Sequence, residues 1–385
     1  MLRDLWTFRC SSPVLRQALI GCGLSWIVAG CGSPSTGDTP HPAQVQLDAE
    51  GPEVRWARGF GWTDGGRILW LADAQDTTYW TQSRQVAEIA PRGTMLLPPP
   101  YELAIGTWST THVPFVRAIG AEAQWVACGY ADRIVALPEK VVNLGGDAGL
   151  EEEMVVASGV NVLTSYPFGN PMEGVTDRTG VTVLPLTEYA EPHPLGRAEY
   201  LRLFGWLTGR DSAADGAFDQ IEAAYLAMAA QAEAQAVLHG RPVVFSGSSQ
   251  SGRWTAPGAE GMVAKLIADA GGEYAFNQQV ADALGLKKIG ANYEVELEQC
   301  AAIAAGSDLW GKVVHAPEGW TMDEAKAEAP WCDFEQKALF HCNTAEVDYF
   351  GQAVLEPHVM LADLYALFHG VGGNRTPVYF KPTSP

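Results

Sequence analysis

Residues 211–238, DSAADGAFDQIEAAYLAMAAQAEAQAVL, constrain the fold more than any other stretch. Phe218, Ile221, Tyr225 and Met228 recur at steps of three and four, the spacing of one helix face. Asp211 stands where an N-cap belongs, and Gly240 with Pro242 supplies the stop. At 1.5 Å per residue the stretch reaches roughly 42 Å, well beyond the three or four turns of an ordinary globular helix. A rod of that length set between two folded halves braces both. The preceding PLGRAEYLRLFGWLTG reads as a shorter helix with Tyr200, Leu203, Phe204 and Leu207 on one face and Gly209 at its end.

Short apolar runs lie on both sides of these helices. ELAIGTW, WVACGY, NVLTSYP and VTVLPL come before them, and PVVFSG, SDLWGKVV and ALFHC after. Strands alternating with helical stretches imply an α/β protein with mainly parallel sheets. The chain of 385 residues, 47% of them apolar, is long enough for a packed core in each half. The expected boundaries are a first lobe over 51–193, linking helices over 194–240 and a second lobe over 241–385. Residues 53–98, aromatic and rich in turn signals, are expected to add β structure to the first sheet.

The N-terminus reads differently. Arg3, Arg9 and Arg16 precede the uncharged run ALIGCGLSWIVAG, short for a bilayer span and suited to a signal segment. Val28-Ala29-Gly30-Cys31 resembles a bacterial lipobox, which implies cleavage before Cys31, its lipidation, and a domain held at a membrane surface. Residues 31–50, rich in Gly, Ser, Thr and Pro, read as a flexible tether. Without residues 1–30, 22 basic side chains face 44 acidic ones, a balance that repels nucleic acid and anionic lipid. Four cysteines then remain besides Cys31: Cys128, Cys300, Cys332 and Cys342. Outside the cytoplasm an even number permits disulfides, Cys332 with Cys342 first, and buried free thiols are the alternative.

Phe245–Gly258, FSGSSQSGRWTAPG, sits between a strand and a helix-like run, GMVAKLIADAGG, where hydrolases place a nucleophilic serine. A nucleophile elbow needs Gly-x-Ser-x-Gly, but Gly247-Ser248-Ser249-Gln250-Ser251 has serine where the second glycine belongs. Asp348 and His369 would complete a triad in the usual chain order, so a secreted serine hydrolase built on Ser249 is the reading from another class. Neither G-x-x-x-x-G-K-[ST] nor G-x-G-x-x-G occurs near a strand end, and LGGDAG at 144–149 reads as a loop. His112 is the one histidine at a strand end; capping a turn is its bland role and metal ligation its sharper one.

Four long motifs occur in order: STTHVPFVRAIG at 109–120, PLGRAEYLRLFGWLTGRDSAADGAFDQIEAAY at 194–225, SGSSQSGRWTAPGAEGMVAKLIADAGGEY at 246–274, and DYFGQAVLEPHVMLADLYALFH at 348–369. With them the chain from about residue 53 to 381 resembles the substrate-binding proteins of ABC importers for iron chelates, haem and cobalamin. The resemblance implies the class III periplasmic-binding-protein fold: two Rossmann-like α/β lobes bridged by one long helix, with ligand held in a largely preformed cleft. The family pattern departs at two places. SGVNVL stands where KPDLV is usual, and GRWTAPGA replaces GTWYMPGG, putting Arg253 where a small or polar residue is common.

Strand ends then supply the cleft residues. Ser109, Thr110 and Thr111 present hydroxyls and helix amides to an anionic ligand edge. Tyr166 and Phe168 flank the cleft from the first lobe. Arg253 pairs with a carboxylate or propionate, Trp254 lies against the ligand's flat face, and Trp310 is a further contact. The same resemblance implies one acidic docking residue per lobe for permease arginines: Glu152 in GLEEEMVVASG, with Glu151 or Glu153 one position away, and Glu294 in NYEVELEQC. The function implied is a monomeric solute receptor, lipid-anchored in the cell envelope at the periplasm or cell surface. It captures a ferric siderophore or similar iron chelate and passes it to an ABC permease and its ATPase, with no catalysis, cofactor or directly bound metal. A corrinoid or haem receptor is the alternative within the family, and direct zinc or manganese binding is a third reading.

Overall fold

The computed structural model describes residues 52–73, 76–167, 172–250, 253–334, 337–371 and 375–383. The expected signal segment, tether and Cys31 lie outside the described residues, as does Phe168.

The first lobe is built on a parallel sheet of β1 (Ile105–Thr107), β2 (Trp125–Cys128), β3 (Val142–Asn143), β4 (Val162–Ser165) and β5 (Thr182–Pro185), in the order β5-β4-β1-β2-β3. β4 is buried at every position, as befits a parallel strand covered on both faces. Its alternation divides the packing. Val162 joins Ile105, Trp125 and Phe204 in one core, and Leu163 joins Trp108, Ala127 and Val155 in another. Helix α1 (Val113–Ala118) follows β1 after a short 3-10 turn.

Residues 60–96 correct an expectation. They form a sheet of their own, with Phe60–Thr63, Ile68–Ala72 and Thr77–Thr81 antiparallel and Met95–Leu96 parallel to the third strand. Phe60, Trp62, Leu69, Leu71 and Trp80 pack across the first core instead of extending the parallel sheet's edge.

Helix α2 (Pro194–Thr208) starts at His193, whose Nδ1 accepts from Leu195 N at 3.0 Å, and ends at left-handed Gly209. Helix α3 (Asp211–His239) is the 29-residue brace. Arg210, not Asp211, takes the N-cap position, and Asp211 is the first helical residue, where its carboxylate meets the positive helix end. Ala214 and Phe218 pack in the first core, Tyr225 and Met228 in the second, and Ile221 against both. A Cβ on Gly205 would meet Ala214 Cβ at 2.5 Å, so α2 and α3 approach backbone to backbone there.

The second lobe carries β6 (Val243–Ser246), β7 (Glu273–Tyr274), β8 (Leu309–Val314), β9 (Ala338–Asn343) and β10 (Lys381–Pro382), ordered β7-β6-β8-β9-β10. Only β10 runs antiparallel to its neighbour. Helices α4 (Met262–Asp269) and α5 (Pro357–His369) cover it. A second, antiparallel sheet joins Ser248–Gln250, Arg253–Pro257, Asn292–Val295 and Lys287–Ile289.

Buried carboxylates tie down both ends of the described chain. On α2, Glu199 accepts from the backbone N–H groups of Arg55, Trp56 and Ala57 at 2.7–2.9 Å, while Glu191 accepts from Arg58 and Gly59. On α5, Asp363 accepts from Val378, Tyr379 and Phe380 and pairs with Arg375. Cys128, Cys300, Cys332 and Cys342 are all free thiols, which overturns the expected Cys332–Cys342 bridge. Cys342 is sealed inside β9, where burial pushes its thiol up to about 12.

Candidate functional site

The segment after β9 fixes where the two sheets meet. Val354 and Leu355, from the second lobe's side, are part of the first core with Val113, Phe115 and Val116 of α1. The chain leaving the carboxyl end of β9 therefore lands on the helix that leaves the carboxyl end of β1. Open α/β sheets bind ligands outside the carboxyl ends of their strands, and here two such edges converge above α2.

On the first lobe, Ser109 begins the turn after β1, its Oγ accepting from Thr111 N at 3.3 Å and lying 2.7 Å from Thr111 Oγ1. Thr111 in turn donates to Glu188 Oε1 at 2.6 Å. His112 is fully buried, with Nδ1 2.9 Å from Thr164 Oγ1 and Nε2 3.3 Å from Glu188 Oε2. Burial alone would raise the Glu188 carboxyl, but His112, Thr111 and the more distant Arg197 charge hold it below the usual carboxylate value. The expectation for Thr111 is thus corrected, because its hydroxyl is already committed inward. Thr110 stays half-exposed, and its hydroxyl makes no hydrogen bond to any described residue. The side chain of His112 does not cap the turn; it is half of a buried pair with Glu188.

Tyr166, half-buried past β4, lies against the phenol of Tyr130, whose own titration is raised first by burial and then by Tyr166. Tyr130 sits beyond β2 in the left-handed region at φ 53°, with Trp108 at 5.3 Å and the Arg133 guanidinium over its ring at 4.6 Å. A bulky side chain at positive φ is strained, and such strain gathers at binding sites. Tyr130 carries no distinctive signal in sequence.

On the second lobe the sequence expectation fails for both tryptophans. Trp254 is 0% exposed and Trp310 1%. Trp254 packs 5.3 Å from Phe245, 5.8 Å from Trp310 and 5.4 Å from Trp331, and its Nε1 donates to Ser246 O at 3.3 Å. The physical reason is that Arg253–Pro257 forms a strand, not a turn. Side chains alternate along it, so Arg253 faces out and Trp254 faces in. Gly247, at φ 133°, is needed beneath that indole, for a Cβ there would meet Trp254 Nε1 at 2.3 Å. Arg253 pairs with Glu294 and lies 3.3 Å from Glu296. The expected ligand cation and the expected docking acid therefore engage each other, and Glu294 stands on a strand, its side chain 25% exposed. Glu152 opens the helix Glu152–Ala157 and pairs with Arg178 at 2.7 Å. The Arg178 hydrogen bond holds the Glu152 carboxyl below its usual value. Glu151 and Glu153 are exposed beside it.

Side chains absent from the sequence expectation also occupy the two edges. Tyr189, past β5, is 43% exposed and Phe350, past β9, is 57% exposed. Arg197 of α2 shares a small recess with Met262, Tyr349, Pro357 and Met360. Burial pushes the Tyr349 phenol up to about 12 against the opposing Arg197 charge.

Ser249, Asp348 and His369 do not assemble. Ser249 N donates to Glu328 Oε1 at 2.8 Å, Asp348 accepts from Gly351 and Gln352, and His369 Nε2 lies 3.2 Å from Ala270 O. Among the described residues, no three His, Cys, Asp or Glu side chains converge as a metal-ligand set.

No protein family and no curated protein matches the sequence. Solved structures do match. A periplasmic haem-binding protein of Pseudomonas aeruginosa aligns at TM-score 0.56 and 16% identity, over 73% of this chain and 98% of its own. A periplasmic binding protein of Veillonella parvula gives TM-score 0.56 and 13% identity over 79% and 98%. A siderophore-binding protein of Vibrio cholerae, solved with ferric Desferal bound, gives 0.51 and 14% over 69% and 99%. With two parallel-sheet lobes joined by one 29-residue helix, the chain has the fold of these class III periplasmic binding proteins.

Proposed function

We propose that this protein is the solute-binding receptor of an ABC importer, capturing an iron chelate between its lobes and delivering it to a membrane permease. The observation that supports this most is the meeting of two carboxyl sheet edges over α2, beside the long brace helix, in a fold shared with proteins described as binding haem and ferric Desferal. The edges offer Thr110, Tyr130, Tyr166, Tyr189 and Phe350, aromatic and hydroxyl groups suited to a bulky, partly flat complex.

A cell-envelope location belongs to this reading, with Cys31 as the lipidated residue. Among the described residues no helix is long and apolar enough to cross a membrane. Glu152 and Glu294 serve as docking acids by exchanging their internal partners, Arg178 and Arg253, for arginines of the permease.

The test is equilibrium titration of the purified protein with haem, ferric citrate and ferric Desferal, followed by absorbance and tryptophan emission. Saturable 1:1 binding of one of them is expected. Binding of none, together with ester hydrolysis abolished by Ser249→Ala, would replace the receptor with the hydrolase. Labelling of growing cells with a fatty acid checks the anchor: incorporation should vanish in Cys31→Ser.

A further inference from the structure

We infer that the outer face of α3 is a docking surface for a second copy of this chain, the two brace helices packing antiparallel across a two-fold axis. This is independent of the receptor reading, and it replaces the monomer that the resemblance implies.

The inner face of α3 packs onto the rest of the chain through Phe218, Ile221, Tyr225, Met228, Ala232 and Ala236. Its outer face is apolar as well. Leu226 is 44% exposed, Val237 75% and Leu238 74%, and Ala223, Ala224, Ala227, Ala230 and Ala234 are exposed among them. Between 223 and 238 the exposed polar side chains are Gln231 and Glu233, and Glu233 is held by Arg241. A chain with 45 acidic and 25 basic residues has charge to spare for a solvated face, yet places almost none here. A helix apolar on all sides belongs in a buried setting, and an exposed apolar strip marks an interaction surface.

The spacing points to another helix as the cover. Ala213, Gly216, Gln220, Ala223, Ala227, Ala230, Ala234 and Val237 are all exposed and follow one another by alternate steps of three and four. That is the 3.5-residue repeat along which one helix meets another, sustained here for roughly 36 Å. Its small side chains let two axes approach to about 8 Å, while Leu226 and Leu238 close the flanks. With the two-fold axis between Ala227 and Ala230, these two residues face each other across the pair. Ala223 then faces Ala234 of the second copy, and Gln220 faces Val237.

Charge sets the direction. Asp215 and Asp219 meet Arg202 within the chain but leave 56% and 57% of their side chains exposed, and His239 and Arg241 are exposed at the other end of the helix. Antiparallel pairing brings Asp215 and Asp219 level with Arg241 and His239 of the second copy and opposes the helix dipoles, whereas parallel pairing stacks acid on acid. A strip this long and about 10 Å wide is smaller than the roughly 800 Å² per partner of a standard interface, so the pair forms and dissociates with concentration.

The experiment is sedimentation equilibrium of the purified full chain from about 1 to about 500 µM, with circular dichroism to check folding. Wild type should pass from monomer to dimer over this range. Ala230→Glu sets an unpaired carboxylate into the seam and should weaken the dimer at least about tenfold, with an unchanged melt because the position is exposed in the single chain. Ala223→Lys should weaken it too, and adding Ala234→Glu should restore it, since antiparallel packing sets each lysine against a glutamate of the second copy. Wild type that stays monomeric throughout overturns the inference. So does a dimer that Ala230→Glu leaves intact, the result if the N-terminal segment or another face associates. No recovery in the double variant overturns the antiparallel pairing.

Discussion

Replacing Trp254 separates a core residue from a ligand contact. Its indole is fully enclosed by Phe245, Trp310 and Trp331 and donates to Ser246 O. A tryptophan side chain buries about 150–250 Å², which at about 25 cal/mol per Å² amounts to roughly 4–6 kcal/mol as an upper bound. Large-to-small substitutions in cores lose about 3–5 kcal/mol. Trp254→Ala should therefore lose about 4 kcal/mol, a large share of a typical total of about 5–15 kcal/mol. Trp254→Phe is the gentler probe. It keeps an aromatic ring but gives up the hydrogen bond and some buried area, about 1–2 kcal/mol. Urea unfolding followed by far-ultraviolet circular dichroism reads the loss, and chelate titration below the transition reads affinity. The expected pattern is lowered stability with affinity within twofold of wild type. Unchanged stability with tenfold weaker binding would refute the core assignment and return Trp254 to the cleft.

Three further outcomes follow from the buried polar groups. Glu199→Ala strands three backbone donors, so it should cost about 3 kcal/mol or more and open the 55–58 segment to trypsin, with cleavage after Arg55 and Arg58 in limited proteolysis; an unchanged digestion pattern would contradict the latch. His193 is pushed down to about 4 from an ordinary 6.5, first by burial and then by Lys265, with Asp269 opposing. The unfolded chain therefore takes the proton first, and stability held above about 6.5 is lost as pH falls toward 4, by about 2.5 kcal/mol at pH 4.5. His193→Asn keeps an acceptor for Leu195 N and removes the titration, so urea unfolding at pH 7 and 4.5 should show a shallower acid loss; the same loss in both proteins would refute it. Finally, with four free cysteines among the described residues, the intact mass of the described domain should not change on reduction, and of these four only half-exposed Cys332 should react with a thiol reagent under native conditions; a 2 Da gain on reduction would restore the bridge.

The seven apolar runs became strands and the brace became one helix because each carries its own local signal, either a run of buried β-formers or a stripe at helical spacing. The antiparallel pairing of Ser248–Gln250 with Arg253–Pro257 is hidden by the Gly and Ser content of the sequence around it, and the next strand, Asn292–Val295, is remote in sequence. A local clue was present all the same: Arg253, Trp254, Thr255 and Ala256 alternate outward and inward, which places the tryptophan in the core once the segment is taken as a strand. Position along the chain correctly put Thr110, Thr111 and Tyr166 at strand ends, but not the direction of their side chains. Thr111 turns toward Glu188, 77 residues away, and nothing between the two announces it.

Helix α2 shows how a sequence can be read further than its apolar face. Pro194, Leu195, Gly196, Ala198, Glu199, Tyr200, Leu201, Leu203, Phe204, Gly205, Leu207 and Thr208 are all buried, so the helix is enclosed on nearly every side and has little room for a solvated charged face. Each charge in it then needs a partner supplied by the fold. Glu199 finds three backbone amides, and Arg202 finds Asp215 and Asp219. Arg197 makes no hydrogen bond or ion pair to a described residue, yet its charge helps hold the buried Glu188 carboxyl below its usual value, so it too acts on an acid that the fold supplies.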